Sequence, residues 1–334
     1  MSVEKQINEV DTITVKFAGD SGDGIQLTGD QFGNTTAIAG NDFATFPDFP
    51  SEIRAPLGTT YGVSSYQIQF AAKDIYTPGD TPEVLVCFNP AALKVNIGIV
   101  NKGGLIIVNE DEFTDKNLKK AGFETNPLDP DDDTLRDYRV HKIKITTLTL
   151  ESLSEMEMGH ADKLRCKNFL ALGVVSWLFS RPLEPIENFL KSKFGKKPQI
   201  LEANMKVLHA GFNICDTMEI FPIMYKVPPA KLEPGTYRNI NGALATSYGL
   251  LAAAEKIELP IVFSGYPITP ASEILHTLAA LKQFNVAAIQ TEDEIAAVTM
   301  ALGAAYGGSL GITGSSGPGL ALKVEAINLA VMTE

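Results

Sequence analysis

The sequence predicts an α/β fold in which two compact regions follow one another along the chain. Apolar strand-like runs alternate with helix-like runs over about the first 200 residues, as expected for helices packed on a largely parallel sheet. The same strand–turn–helix pattern resumes from residue 261 onwards. A proline-rich segment separates the two regions, and 334 residues can form two hydrophobic cores. We therefore predict a first domain over residues 1–220, a semi-rigid linker over 221–237 and a second domain over 238–334.

The first domain is predicted to begin with a strand, a glycine-rich turn and a helix. Residues 13–17 alternate in the manner of a strand, and the helix is expected to run to about Ala39. Gly19, Gly22 and Gly24 lie in the turn, but their spacing is not the G-x-G-x-x-G of dinucleotide-binding folds. The turn is interpreted either as a tight βα connection or as an anion site formed by backbone N–H groups at the helix start.

The rest of the first domain is predicted to alternate strands and helices. Residues 43–54, rich in Phe, Pro and Asp, are predicted to form a loop. Later strands are predicted at 65–71, 84–88, 104–109 and 143–146, and later helices at 167–180, 186–194 and 203–218. The helix at 167–180 is strongly apolar, so we expect it in the core.

Composition and charge exclude several classes of protein. A formal net charge of −12 does not suit a general nucleic-acid binder, which needs a basic surface. No apolar segment is long enough for a membrane span, and the N-terminus does not resemble a secretory signal, so we predict a cytoplasmic protein. The three cysteines lack Cys-x-x-Cys spacing, and the four histidines form no ligand pattern. We therefore predict neither an iron–sulfur cluster nor a metal site held by this chain alone.

The second domain is predicted to contain strands that end in polar or glycine-rich turns. The strands are expected at 261–263, 286–290 and 310–313. After the first strand, Thr269 followed by Pro270 is typical of a helix N-terminus, with Thr269 as the capping residue of a helix at 271–281. A glycine-rich turn over 314–319 follows the third strand.

The turn after the second strand is acidic and contains Glu294. Thr291 and Glu294 have the spacing of a capping box, in which the glutamate accepts the N-cap backbone N–H. Alternatively, Glu294 is a functional carboxylic acid at the start of a helix whose small side chains let another molecule approach. Glu292 is the neighbour that could be mistaken for it. The spacing alone leaves these interpretations open.

Several segments together resemble one enzyme family. In the second domain they are Tyr266-Pro267-Ile268-Thr269-Pro270, Glu292-Asp293-Glu294-Ile295-Ala296-Ala297, Gly314-Ser315-Ser316-Gly317-Pro318-Gly319 and Met332-Thr333-Glu334. In the first domain they are Gly22-Asp23-Gly24, Ser51-Glu52-Ile53-Arg54-Ala55-Pro56 and Cys166-Lys167-Asn168. They resemble 2-oxoacid:ferredoxin oxidoreductases, in particular the fused gamma–alpha chains of the 2-oxoglutarate type, and the resemblance covers essentially the whole chain.

The resemblance implies a Rossmann-like gamma domain followed by a thiamine-diphosphate pyrimidine-binding α/β domain that is incomplete in this chain. It implies that Glu294 hydrogen-bonds N1′ of the thiamine aminopyrimidine and so promotes loss of the C2 proton. Thr269 is then expected near the substrate or thiamine, and Tyr266 and Gly317 beside the cofactor. The alternatives are a purely structural core position for Tyr266 and a plain βα turn at Gly317.

The same resemblance implies that this chain is one half of an enzyme. A beta subunit would supply the diphosphate and Mg²⁺ site and a four-iron cluster, and ferredoxin would accept electrons from a dimer of alpha–beta heterodimers. Gly22 and Gly24 would contact a ligand, and the family associates the gamma domain with coenzyme A, a substrate of the reaction. The implied reaction converts 2-oxoglutarate to succinyl-CoA. Family chains continue past the position of Glu334, and we expect recognition of the distal carboxylate in that continuation.

Other functions remain open at this point. The substrate could instead be pyruvate or a branched-chain or aryl 2-oxoacid. The chain could also be a non-catalytic nucleotide- or acyl-CoA-binding assembly module. A nicotinamide-dependent dehydrogenase is disfavoured, because G-x-G-x-x-G is absent. For residues 51–56, the alternative to a functional segment is a packed loop with Arg54 in an ion pair.

Overall fold

A computed structural model describes residues 6–50 and 55–334 of the chain. The chain divides into two compact units, Met1–Gly235 and Thr236–Glu334. In the first, the strands are β1 (Gln6–Glu9), β2 (Thr12–Asp20), β3 (Asp42–Asp48), β4 (Val63–Ala71), β5 (Val84–Cys87), β6 (Leu105–Asn109), β7 (Arg139–Ile143) and β8 (Ile223–Lys226). Its helices are α1 (Ile25–Ile38), α2 (Pro90–Asn96), α3 (Asp115–Ala121), α4 (Ile145–Ser152), α5 (His160–Leu164), α6 (Lys167–Leu178), α7 (Glu184–Phe194) and α8 (Pro198–Thr217).

The main sheet of the first unit has six strands in the order β3-β4-β2-β5-β6-β7. The last four in this order are parallel, whereas β4 is antiparallel to β2 and β3. Helices α1, α6 and α8 pack on one face with Val15 and Phe17, and α2 and α3 pack on the other with Leu85 and Cys87. The helices that follow β2 and β5 thus lie on opposite faces. The carboxyl ends of these two strands therefore form a topological switch point, where open α/β sheets bind ligands.

The edge strand β3 corrects a prediction. The sequence predicted a loop from residue 43, but Asp42–Asp48 pairs antiparallel with β4 along its whole length. Pro47 lies within this strand, opposite Tyr66. An edge strand tolerates proline because one of its sides has no neighbouring strand to bond. The loop prediction was wrong here because proline and aspartate, which usually indicate turns, lie in an edge strand.

The strongly apolar helix α6 lies in the core, as predicted, and crosses α8 at two glycines. A Cβ on Gly173 would lie 2.3 Å from the carbonyl oxygen of Leu208, and a Cβ on Gly211 would lie 2.1 Å from that of Leu170. Both distances are far below van der Waals contact. The two helix backbones can therefore approach this closely only because both positions lack a side chain.

The proline-rich segment is ordered against the first unit at its start. The sequence predicted a spacer over 221–237, but Ile223–Lys226 forms β8, which pairs in parallel with β1. The Asn41 amide then donates to the carbonyl oxygens of Val227, at 3.3 Å, and Pro228, at 2.6 Å. The part of this segment without helix or strand runs from 227 to 241. The spacer prediction therefore has to be shortened at its N-terminal end.

The second unit contains a three-stranded parallel sheet with β9 in the centre. Its strands are β9 (Ile261–Gly265), β10 (Val286–Gln290) and β11 (Leu310–Thr313), in the order β10-β9-β11. Its helices are α9 (Gly242–Ile257), α10 (Ser272–Ala280), α11 (Glu294–Tyr306), α12 (Gly317–Leu322) and α13 (Val324–Thr333). The predicted strands are present, and the α/β class is confirmed for both units. Phe263, Leu275 and Leu278 lie in its core.

Helix α11 packs closely against this sheet. The Ser264 hydroxyl donates to the carbonyl oxygen of Ala297 at 2.6 Å. A Cβ on Gly311 would lie 2.0 Å from the carbonyl oxygen of Ala301, so the glycine of β11 is what permits this approach. The start of α11 is thereby fixed beside the ends of the strands.

Across residues 6–50 and 55–334, no helix combines the length and apolar character that a membrane crossing requires.

Candidate functional site

The carboxyl ends of the three parallel strands in the second unit form one edge. The chain leaves β9 at Tyr266, β10 at Thr291 and β11 at Gly314. Since parallel strands end on the same side of a sheet, the three turns that the sequence singled out are neighbours in space. This edge is the candidate site of the second unit.

Gly319 is the point at which these turns meet. A Cβ at this position would lie 2.3 Å from the Tyr266 hydroxyl oxygen, 2.4 Å from Ser315 Oγ and 3.1 Å from Glu294 Cγ. The hydroxyl groups of Tyr266 and Ser315 are hydrogen-bonded at 3.0 Å. Tyr266 and Gly319 are buried, whereas Glu294 and Ser315 are half-buried. We call these four residues the Gly319 cluster.

Glu294 is the first residue of α11 and does not act as its cap. Asp293 is the N-cap, and its carboxylate accepts the backbone N–H of Ala296 at 2.8 Å. The Thr291 hydroxyl donates to the carbonyl oxygen of Asp293 at 3.3 Å. The capping-box interpretation of Thr291 and Glu294 is therefore wrong. The Glu294 carboxylate is left available at the Gly319 cluster, whereas the side chain of Glu292 is exposed.

Lys323 contacts Tyr266 of the cluster and was not singled out from the sequence. It is buried, and its ammonium group donates to Thr313 Oγ1 at 3.2 Å and to the carbonyl oxygen of Gly314 at 3.4 Å. The same group lies 5.2 Å from the centre of the Tyr266 ring, within the range of a cation–π interaction. Burial lowers the pKa of Lys323, and the negative charge of Glu294 opposes this effect.

Two further predicted residues lie at this edge but are exposed. Helix α10 begins at Ser272 rather than at 271, and its N-cap is Ala271, so the capping role predicted for Thr269 is wrong. The Ser272 hydroxyl instead accepts the backbone N–H of Ile268 at 2.9 Å. Gly317 starts α12, and a Cβ there would meet nothing within 4 Å. The proposed contacts of Thr269 and Gly317 with substrate or cofactor remain predictions.

The first unit brings two of its predicted segments together. At the glycine turn, Gly24 has a positive φ of 75°, and a Cβ there would lie 2.8 Å from the Asn168 amide nitrogen. Lys167 Nζ lies 2.8 Å from a carboxylate oxygen of Asp23, and both side chains are largely buried. The positive charge of Lys167 thus compensates Asp23, which would otherwise repel an anion at the turn. Gly22 has open space where its side chain would be.

Two cavities flank the glycine turn. The first, of about 230 Å³, lies at the topological switch point and is lined by charged and polar residues that include Asp20, Asp23, Asn89, Lys120 and Lys167. The second, of about 300 Å³, is lined by Gly22, Gly24, Cys166 and Asn168 and by the apolar residues Leu27, Met158, Phe169, Phe194 and Ile200. Both predicted glycines therefore border a space that a ligand could enter.

The predicted segment over residues 51–56 is described only in part. Residues 51–54, including Arg54 and its predicted ion pair, lie outside the described residues. Ala55 and Pro56 border Gly62, where a Cβ would lie 3.2 Å from the Pro56 carbonyl oxygen. Within the two described ranges, no group of three or more His, Cys, Asp or Glu residues is arranged to hold a metal ion.

Replacing Asp20 with Asn is expected to change how stability depends on pH. Burial, followed by the charge of Asp23, raises the pKa of Asp20, although the backbone N–H of Gly58 and the charge of Lys167 oppose the shift. A carboxyl group with a raised folded-state pKa stabilises the fold while it is protonated, and this contribution is lost as the pH rises through that pKa. Melting temperatures from about pH 4 to pH 8 should therefore fall with pH more in the wild type than in Asp20→Asn. The exposed control Asp80→Asn should follow the wild type, and parallel curves for all three proteins would contradict the prediction.

Comparisons with known protein families match both units. Residues 14–214 match the family described as pyruvate ferredoxin/flavodoxin oxidoreductase. Residues 254–334 match the thiamine-diphosphate-binding domain of pyruvate flavodoxin/ferredoxin oxidoreductases. The second match contains the entire Gly319 cluster, and the first contains the glycine turn and both of its cavities.

Individual proteins with similar sequences or structures agree with these matches. The 2-oxoglutarate oxidoreductase subunit KorA of Mycobacterium tuberculosis is 53% identical over 325 residues, which are 97% of this chain and 50% of that protein. The alpha subunit of 2-oxoacid:ferredoxin oxidoreductase 1 of Aeropyrum pernix is 30% identical over 201 residues, which are 58% of this chain and 30% of that protein. A solved 2-oxoglutarate:ferredoxin oxidoreductase of Magnetococcus marinus, with 2-oxoglutarate, coenzyme A and succinyl-CoA bound, superimposes with a TM-score of 0.67 at 28% identity.

The similarities to the Mycobacterium and Magnetococcus proteins cover nearly all of this chain but only part of those longer relatives. The superposition covers 94% of this chain and 49% of the Magnetococcus chain, so this chain spans about half the length of the relatives that match along it. The two family matches, by contrast, occupy most of this chain, and the first alone covers more than half of it. The chain therefore belongs to the pyruvate ferredoxin/flavodoxin oxidoreductase family.

Proposed function

We propose that this chain provides the alpha part, with a fused gamma domain, of a 2-oxoglutarate:ferredoxin oxidoreductase. The reaction would be the oxidative decarboxylation of 2-oxoglutarate to succinyl-CoA and CO₂, with the electrons passed to ferredoxin. The observation that carries the proposal is the position of Glu294. Its half-buried carboxylate lies in the Gly319 cluster, within the domain that matches thiamine-diphosphate-binding proteins.

The Gly319 cluster has the chemistry that an aminopyrimidine requires. It combines a carboxylate, two hydroxyl groups and a glycine whose missing side chain leaves room for close packing. A carboxylic acid that carries its proton can donate a hydrogen bond to a ring nitrogen. The residues present therefore fit thiamine diphosphate, which when bound would supply the nucleophilic carbon for attack on the 2-oxo group.

The residues of this chain would act on the proton and on orientation. Glu294 would hold and return a proton at its carboxylate oxygen, opposite the pyrimidine N1′. The bonded hydroxyl groups of Tyr266 and Ser315 would fix the wall beside it, and Thr269 and Gly317 would face the open side of the cofactor or substrate. Because Asp293 caps α11, the Glu294 carboxylate can move a proton without loosening the helix start.

The first unit is proposed to serve coenzyme A. Gly22 and Gly24 border the larger cavity, whose walls combine apolar side chains with the Asn168 amide. Among the described residues, none forms a hydrogen bond with the buried Oδ1 atom of Asn168, which supports a ligand that donates to it. The solved relative from Magnetococcus marinus contains coenzyme A, which agrees with this proposal.

Other polypeptides are proposed to provide the remaining parts of the enzyme. A beta subunit would bind the diphosphate through Mg²⁺ and carry the four-iron cluster, and the complex would be a dimer of alpha–beta heterodimers that reduces ferredoxin. A cytoplasmic location suits such a partner. The gamma domain, predicted over residues 1–220, is proposed to extend to Lys226 so that it includes β8, and the pyrimidine-binding domain is proposed to span residues 238–334.

A substrate panel tests this function. The complex would be purified without oxygen through this chain, and reduction of a viologen dye would be measured with 2-oxoglutarate, pyruvate and a branched-chain 2-oxoacid, each with and without coenzyme A. We expect CoA-dependent reduction with 2-oxoglutarate as the preferred acid. Preference for pyruvate would change the substrate and keep the mechanism. No reduction with any acid, by a complex that retains thiamine diphosphate and its clusters, would favour the non-catalytic binding module.

A further inference from the structure

Lys323 presents an unusual electrostatic situation next to the proposed site. It is only 2% exposed, and lysine is rarely buried this deeply without a carboxylate partner. Within the described residues, no carboxylate forms a salt bridge with Lys323. Its ammonium group is instead surrounded by a hydroxyl oxygen, a carbonyl oxygen and an aromatic ring. Keeping a positive charge in such a place is costly, so the charge itself calls for an explanation.

The contacts of Lys323 connect two walls of the Gly319 cluster. Thr313 and Gly314 form the end of β11 and the start of the turn that carries Ser315. Tyr266 follows β9 and is bonded to Ser315 through its hydroxyl group. A single ammonium group therefore restrains both partners of the Tyr266–Ser315 hydrogen bond, one through its ring and the other through the preceding backbone.

Glu294 is the acidic member of the same cluster. Its charge interacts with Lys323 strongly enough to oppose the effect of burial on the Lys323 pKa. Gly319 packs closely against Tyr266, Ser315 and Glu294, so Glu294 and the two residues that Lys323 restrains meet at one glycine. The positive charge of Lys323 is thereby attracted to the negative charge of Glu294, although the two form no salt bridge within the described residues.

We propose that Lys323 is a positioning residue for Glu294, which acts by holding Tyr266 and the turn after β11 in place and by supplying a compensating positive charge behind the carboxylate. This inference rests on the proposed role of Glu294 toward thiamine. It differs from that role because Lys323 is placed away from the reacting atoms. Its effect should therefore appear in cofactor binding and in the environment of the bound pyrimidine.

The test compares variants of the complete alpha–beta complex. Lys323→Met keeps most of the length of the side chain and removes the charge, and Lys323→Arg restores a cation. Lys282→Met makes the same change at an exposed lysine of the same unit. For each cofactor-free complex, the Kd for thiamine diphosphate in the presence of Mg²⁺ would be measured by calorimetry, together with the near-ultraviolet circular dichroism of the bound cofactor and the melting temperature.

We expect Lys323→Met to bind thiamine diphosphate on the order of tenfold more weakly, as for the loss of one charged hydrogen-bonding group. The circular dichroism of the cofactor bound to Lys323→Met should also change. Lys323→Arg should recover most of the affinity and most of the circular dichroism signal. Lys282→Met should match the wild type in both measurements. Unchanged affinity and circular dichroism in Lys323→Met would overturn the inference. An equal loss in Lys323→Arg and Lys323→Met would also overturn it, since the restored charge would then have no effect. If Lys323→Met does not assemble, wild-type circular dichroism in Lys323→Arg supports the inference, and altered circular dichroism overturns it.

The variant Glu294→Gln, tested in the same experiments, distinguishes a failure of the proposed function from a failure of the inference about Lys323. Full turnover in Glu294→Gln would reject the role of Glu294 whatever Lys323 does. Loss of turnover in Glu294→Gln, combined with unchanged binding in Lys323→Met, would reject only the inference about Lys323.

Discussion

Replacing Glu294 with Gln is expected to lower 2-oxoacid-dependent dye reduction by a factor on the order of 100 to 10,000, the usual contribution of a positioned proton-transfer group. Glutamine has nearly the same size and can still contact the cofactor, but its amide cannot take up and return a proton. Because Asp293 rather than Glu294 caps α11, the helix start should remain intact. The measurement is dye reduction by the purified complex, together with the rate at which deuterium replaces the C2 proton of bound thiamine.

The matched control for this prediction is Glu292→Gln. Glu292 lies two residues away in the same acidic turn, but its side chain is exposed. It should keep wild-type rates of dye reduction and of deuterium exchange. If Glu292→Gln lost activity and Glu294→Gln retained it, the catalytic assignment would move to Glu292. If both retained activity, this turn would have no part in proton transfer.

Replacing Gly319 with Ala is expected to have the second-largest effect. The added methyl group would lie 2.3 Å from the Tyr266 hydroxyl oxygen and 2.4 Å from Ser315 Oγ, so the hydrogen bond between them would have to break or shift. Overpacking of this kind costs about 1–3 kcal/mol of stability. The rate of dye reduction should fall by more than the loss of stability explains, because the displaced groups surround Glu294. Melting temperature and dye reduction of the assembled complex would measure the two effects.

Gly249→Ala is the control for the added methyl group. Gly249 is exposed in the middle of α9, and a Cβ there would meet nothing within 4 Å. Alanine at an exposed helical position is favoured over glycine by about 1 kcal/mol, so this variant should be at least as stable as the wild type. A Gly319→Ala protein with wild-type stability and activity would show that the contacts around Gly319 relax without cost, and the cluster would not be a rigid site.

The parts of the fold that were predictable from sequence are those with local signals. The strands β9, β10 and β11 are short apolar runs followed by turn residues, and all three appear in the structure. Strand β3 was missed because Pro47 is a loop signal everywhere except at a sheet edge, and edge position depends on the rest of the sheet. The cap at Thr269 was wrong for a related reason, because α10 starts later and Ser272 bonds the preceding turn.

In the candidate site, too, residues with local sequence signals were predicted, and residues that depend on the tertiary fold were missed. Glu294 and Tyr266 were predicted because they belong to compact motifs, and the structure brings them together. Lys323 was missed because the ring of Tyr266 is distant in sequence and reaches it only when β9 and β11 pair. In the glycine-rich turn, the sequence pointed to Gly317, but only the packing distances identify Gly319 as the closely packed glycine. Close approach is a property of neighbours and cannot be read from one segment.

The burial of all three cysteines has a practical consequence for spectroscopy. Cys87, Cys166 and Cys215 are buried and form no disulfide, and burial raises the pKa of Cys87 and raises that of Cys166 to about 11. Thiol-directed dyes react with exposed thiolates, so the native chain should take up very little label. A cysteine introduced at Gly98 and another at Gly249, both exposed positions with open space for a side chain, would therefore be labelled selectively. Energy transfer between two dyes at these positions would report whether the distance between them changes during turnover.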